Sequence, residues 1–210
     1  MSKHAFSRLF IAVCLLVAVT LVPSLSVKGQ NDQPDRLTVA ANGNKKTKVS
    51  AQSLLTFSDQ SVIPGGGSIL VRNREGVQMS LHSFGLEPGT VVTAWFVFFN
   101  NPKQCATRPC SVADLSNPQV QASLVNGTGR IVGPDGTADF GAFKAVNDTT
   151  GAFSGPGLLN AMKAEIHLVV RGHGPAILDD AEQLRQQLST FNGGCPPNTC
   201  ENLQVSIHQP

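Results

Sequence analysis

His82, His167, His173 and His208 are the side chains of this chain best suited to hold a metal ion or an anion, because neutral imidazole is a common metal ligand and changes charge near neutrality. Three of them sit in runs that alternate polar and apolar residues. In 164–171, Ala164, Ile166, Leu168 and Val170 share one face of a strand, and Glu165, His167, Val169 and Arg171 share the other. In 202–208, Leu203, Val205 and Ile207 take the core face and leave Gln204, Ser206 and His208 opposite. His82 opposes Val77, Met79 and Leu81 in the same way. If these strands are neighbours, side chains directly across stand about 5 Å apart at Cβ. His82, His167 and His208 could then share copper, zinc or an anion, with Glu165 as the partner that fixes a tautomer. Otherwise each histidine is an exposed or hydrogen-bonded polar residue on a sheet. His173, in Gly172-His-Gly-Pro175, reads as a turn residue.

The cysteines repeat one spacing. Cys105 and Cys110 in CATRPC, and Cys195 and Cys200 in CPPNTC, are both C-x4-C with proline between. In an oxidising compartment this reads as disulfides, and local bridges are the simplest of three pairings because so short a loop can bring two Cα atoms to about 5.5 Å. The rival is a four-thiolate zinc site. A redox role would want C-x-x-C and an activated thiol. Other chemistry finds no motif. Gly65-Gly-Gly67 precedes a strand rather than opening a helix and reads as a loop. G-x-S-x-G and H-E-x-x-H are absent, and Asp139, Asp148 and Glu165 are scattered. No catalytic residue is therefore expected. The sequons at Asn126 and Asn147 accept glycans only in a eukaryotic secretory pathway.

The elements that would position these groups begin after an export signal. Lys3, His4 and Arg8 precede the apolar run Leu9 to Val22, with Pro23 and small residues beyond, so 1–29 reads as a signal peptide cleaved near 26–30. That places the mature chain in the periplasm or outside the cell. No later run is long and apolar enough to span a bilayer. Residues 30–52, rich in Asn, Gln, Lys and Ser and including Lys45, Lys46 and Lys48, read as a flexible polar arm. From 53 to 210 short alternating runs broken by Gly, Pro, Asn and Asp signal antiparallel β structure. Strands are expected over 68–72, 76–84, 90–99, 120–125, 129–132, 138–145, 164–171 and 203–208. The run 90–99 is apolar on both faces and belongs in a covered, central position. Pro134-Asp-Gly136 is a turn that would join two runs into a hairpin. One helix is expected over 179–189, with acidic residues in its first turn and Ala181, Leu184 and Leu188 on one face. A net charge of +2 does not imply nucleic acid.

The blocks GLEPGTVVTAWFVFFNNPKQC, IVGPDGTADFGAF, AEIHLVVRGHGP and the closing C-x4-C followed by NLQVSIH resemble a group of secreted bacterial β-sandwich proteins of uncharacterised function, over about 76–208. The Gly-Leu-x-Pro-Gly turn and the histidine strand before a glycine-rich turn are also similar to chordin-type (CHRD) domains and copper-zinc superoxide dismutase sandwiches. Those families place histidines one residue apart on a strand, whereas here Glu165 and Val169 flank His167 at that spacing. The reading is an all-β, antiparallel two-sheet sandwich, immunoglobulin-like or superoxide-dismutase-like in its Greek key. It would be an exported, non-catalytic binding or envelope-associated module without a cofactor, its partner a protein, glycan or small ligand. The alternative is a metal-binding protein, an oxidoreductase among the options, with copper or zinc on His82, His167 and His208.

Overall fold

A computed structural model describes residues 46–210. The expected signal peptide, 1–29, and residues 30–45 of the expected arm lie outside the described residues. The elements are β1 (Lys48–Thr56), β2 (Val62–Arg72), β3 (Gly76–Ser83), β4 (Thr90–Phe99), β5 (Ala122–Ile131), β6 (Ala138–Ala145), β7 (Ala152–Ser154), β8 (Glu165–Pro175), α1 (Ala181–Ser189) and β9 (Glu201–His208). Two short 3-10 turns, Pro102–Gln104 and Val112–Ser116, lie in the loop after β4. Among the described residues no helix is long and apolar enough to cross a membrane.

The strands form one nine-stranded sheet in the order β6-β3-β2-β1-β9-β8-β4-β5-β7, antiparallel at every pairing. Leu70 of β2, Met79 of β3 and Phe140 of β6 share one buried cluster with Phe96 of β4, Val125 of β5 and Leu168 of β8. A flat sheet cannot bring both of its wings together, so this one is curled around its own core. Its two ends approach each other: Arg130 of β5 donates from Nε to the Asp139 carbonyl of β6 at 3.1 Å, although the two strands lie near opposite ends of the order. The expected pair of stacked sheets is thus corrected to a single curled sheet. The link is β1, whose Leu55 and Thr56 pair with Val205 and Gln204 of β9. The sequence places 48–52 in a polar arm and its first strand at 68–72, so it offers no strand at 55–56 to join the two wings.

Three local expectations change as well. Gly65, Gly66 and Gly67 lie inside β2 rather than in a loop. The runs 120–125 and 129–132 merge into β5, which carries a bulge where Thr128 and Asn126 face the consecutive Ala94 and Trp95. The Pro134-Asp135-Gly136 turn forms, with Gly136 at φ 74° and its amide on the Gly133 carbonyl. It does not make a paired hairpin, because β6 goes to β3.

β4 and β8 are buried along nearly their whole length. On the inner side of β4, Phe96 and Phe98 enter the main core; on the outer side, Trp95, Val97 and Phe99 enter a second cluster with Val120, Val169, Val205 and Cys110. Loops and α1 cover that outer side. Asp180 caps α1, its Oδ1 accepting the Glu182 and Gln183 amides at 3.0 Å each. The face differs from expectation: Ala181 is exposed, Leu184 and Leu188 are half-buried, and Gln187 is fully buried. Its amide explains why, donating to the carbonyls of His173 and Pro175 while Oε1 accepts from Ile177 N. α1 comes so close to β5 that a Cβ on Gly129 would lie 2.2 Å from the Leu188 carbonyl oxygen. Gly129→Ala is expected to lower stability by about 2 kcal/mol, the range of an overpacked site. Gly141→Ala, where the nearest atom is 4.0 Å away, should stay within about 0.5 kcal/mol in the same thermal melts.

Candidate functional site

The three strand histidines occupy three separate environments. His208 pairs across the ladder with Ile166 and faces inward with it, so His167, the next residue of β8, faces outward. His82 lies on β3, with β2, β1 and β9 between it and β8. It is half-exposed and holds Asp139 from Nδ1 at 2.7 Å. Strand order and face parity therefore keep His82, His167 and His208 apart, and the shared histidine cluster is not formed.

Inside the curl, Gln204, Ser206 and His208 form a buried polar row rather than a wet face. β9 needs cover on both sides, since Val205 and Ile207 serve the outer cluster. Ser68 Oγ donates to Ser206 Oγ at 2.7 Å and so accepts from His208 Nε2 at 2.9 Å, while Ser50 Oγ stands 2.8 Å from Nδ1. Ser83 Oγ donates to Gln204 Oε1 at 2.5 Å. Arg72, fully buried, donates to the carbonyls of Ala161, Ala164 and His208. Burial, with the Arg72 cation and His167 nearby, pushes the His208 imidazole down to about 4. This row ties β1, β2 and β3 to β9.

On the outer face the structure does join two of the residues singled out by sequence. Glu165 is fully buried, and its Oε1 accepts from His167 Nε2 at 2.8 Å and from the Cys110 amide at 2.7 Å. Burial raises the Glu165 carboxyl, but the hydrogen bonds from His167 and the Cys110 amide outweigh it and hold the group below its ordinary value. A carboxylate on Nε2 fixes the imidazole tautomer and leaves Nδ1 as the acceptor of the ring. The His167 ring leans on Phe99, with centroids 4.8 Å apart.

His167 also lines an apolar groove of about 210 Å³, together with Phe57, Trp95, Phe99, Leu115 and Phe191. Several of the lining residues flank the two cysteine loops in sequence. Cys105 is bonded to Cys110 and Cys195 to Cys200, with Cα atoms 5.3 and 5.8 Å apart. One loop leads into Val112–Ser116, which supplies Leu115; the other follows Phe191. Phe191 meets Trp95 edge-on at 5.1 Å, stacks on Phe153 at 4.5 Å and carries the Arg171 guanidinium 4.0 Å above its ring. Phe153 and Val112 remain exposed. Strand periodicity could not find Leu115 or Phe191, because both lie outside strands. The signal was the two-faced apolar β4: an outer Trp95 and Phe99 require apolar cover, and loops held by disulfides carry it.

His173 had read as a turn residue. β8 instead runs on to Pro175 and buries it completely. Trp95 Nε1 donates to Thr93 Oγ1 at 2.7 Å, Thr93 Oγ1 meets His173 Nε2 at 2.7 Å, and Nδ1 donates to the Gly193 carbonyl at 3.0 Å. Burial holds its pKa below the ordinary value.

Two closed cysteine pairs are consistent with an oxidising, extracytoplasmic location. Comparison with known protein families, with curated proteins and with solved structures finds no match to this chain.

Proposed function

We propose that the protein is an exported, non-catalytic binding module that holds a small aromatic molecule bearing one hydrogen-bond donor in its outer groove. The observation that carries this reading is the meeting, in one groove, of aromatic walls with the imidazole that Glu165 orients. Apolar binding sites take their energy from enclosed rings and their orientation from a few placed polar groups. An apolar cavity of about 150 Å³ accepts a benzene, so about 210 Å³ suits a single substituted ring. Apart from His167, the lining residues supply as polar groups only the Asn202 side chain and the Trp95 indole nitrogen, which already donates to Thr93. A ligand donor then has His167 Nδ1 to address, and no hydroxyl, thiol or amine stands among the lining residues to attack it. Export rests on the 1–29 segment, and the partner is taken up at or beyond the cell envelope.

Trp95, the only tryptophan, reports on the groove. In fluorescence titrations phenol is expected to bind about tenfold more tightly than toluene, the worth of one added hydrogen bond. His167→Leu should abolish that preference while toluene still binds. Equal affinities for phenol and toluene, or no response to either, would overturn the reading.

A further inference from the structure

We propose that the Cys195–Cys200 loop is a reduction-gated zinc site, in which the two thiolates and His173 Nδ1 bind one ion once the disulfide is opened. Cys195, Cys200 and His173 offer ligand atoms that all lie within 4.8 Å of one another. Cys200 Sγ is 3.4 Å from His173 Nδ1, and the two sulfurs are 3.7 and 3.8 Å from the Gly193 carbonyl oxygen. A tetrahedral zinc with bonds of about 2.3 Å to sulfur and 2.0 Å to nitrogen sets ligand separations of about 3.5–3.8 Å. The Cys200–His173 edge of that tetrahedron is already close to size, the Cys195 sulfur lies within 4.8 Å of the histidine's ligand atom, the two bonded sulfurs part on reduction, and the Gly193 carbonyl oxygen beside both of them stands on the fourth side.

The loop does not depend on its disulfide alone. Asn198 Nδ2 donates to the carbonyls of His173 and Pro175 at 2.8 and 3.0 Å, and Gln187 reaches the same two carbonyls from α1. The Asn198 amide closes on Gly194 O and the Cys195 amide on Asn192 O. The helix pins the region from the other side, since a Cβ on Gly193 would lie 1.9 Å from the Gln186 carbonyl oxygen. The reduced sulfurs thus remain beside His173. The other disulfide differs. Asp114, the third member of the Cys105–Cys110 group, already accepts from the Ala106 and Ser111 amides and the Ser111 hydroxyl, and no histidine belongs to that group.

The chemistry balances. A dithiol reductant gives two electrons and two protons to the sulfur–sulfur bond, leaving two thiols and its own disulfide. Zinc displaces the two thiol protons, and the imidazole proton moves from Nδ1 to Nε2, where Thr93 Oγ1 accepts it. Two thiolates and a neutral imidazole bring the charge of Zn²⁺ to zero, which suits a buried position. Thr93 also accepts from Trp95 Nε1, so occupancy should register in Trp95 emission.

The test uses the full folded chain, reduced with a phosphine under anaerobic conditions, given zinc and freed of excess ion. One zinc per chain is expected by native mass spectrometry, with a change in Trp95 emission, and none before reduction. Cys200→Ser should weaken zinc binding at least 100-fold while its circular dichroism matches the parent. The double variant Cys105→Ser/Cys110→Ser should retain the zinc. Absence of zinc in the reduced protein, unfolding on reduction, retention in Cys200→Ser, or loss only in the double variant would each overturn the proposal.

Discussion

Between pH 6.5 and 4 the folded protein is expected to lose about 3 kcal/mol of stability through His208 alone, at about 1.4 kcal/mol for each pH unit. The sign follows from where the proton goes. Above pH 6.5 the imidazole is neutral in both states and contributes no slope. As the pH falls, the unfolded chain takes up a proton at the ordinary histidine value, while the folded chain refuses it until about 4. Below that both states are protonated, and the loss stays constant. His173 is displaced in the same direction by burial and adds to the slope. The lowered carboxyls, Asp114 and Glu165 among them, act in a separate and more acid window, below the ordinary carboxylate values. Urea midpoints at pH 7 and 4.5 check this, and His208→Gln should remove most of the dependence. Equal slopes for the parent and that variant would dismiss the assignment.

Glu165→Ala is expected to destabilise the protein by about 3 kcal/mol, because it strands two buried donors, the His167 ring and the Cys110 amide, at one stroke. Glu165→Gln keeps an acceptor oxygen in place and should fall well short of that loss. The same contact fastens the first disulfide loop to β8, so the alanine variant should also become open to trypsin after Lys103 and lose its preference for phenol. An alanine variant as stable as the parent in urea, with the loop still resistant, would show that the carboxylate has no such structural part.

β4 and β6 were legible in the sequence because their patterns have one physical explanation. A strand apolar on both faces must be covered twice, and β4 is: Phe96 and Phe98 inward, Trp95 and Phe99 outward. α1 was legible through its acidic first turn, although Asp180 proves to be the cap outside the helix rather than part of it, but not through its buried side, because Gln187 is inside for the sake of backbone carbonyls that sequence does not place. β1 was hidden by its polar residues. Ser50 reaches His208, while Ala51, Gln52 and Ser53 stay exposed, so a segment with the composition of a solvated arm is an edge-like strand that gives one hydroxyl to the polar interior. The histidines show the limit of period-2 counting. It separates His167 from Ile166 and His208 from Ile207, but it does not say which side is inside when both sides are covered. The Glu165–His167 pair was visible as a spacing, while its groove depended on residues outside the strands.

The β1–β9 ladder has only two register pairs, extended by the Phe57 amide on the Leu203 carbonyl, and beyond that short ladder side chains fasten the seam. Ser50, Ser68 and Ser83 reach from one wing to His208, Ser206 and Gln204 on the other. A proton delivered to His208 therefore strikes the joint that makes one sheet out of two, and acid should unzip the molecule along this line before it melts either wing.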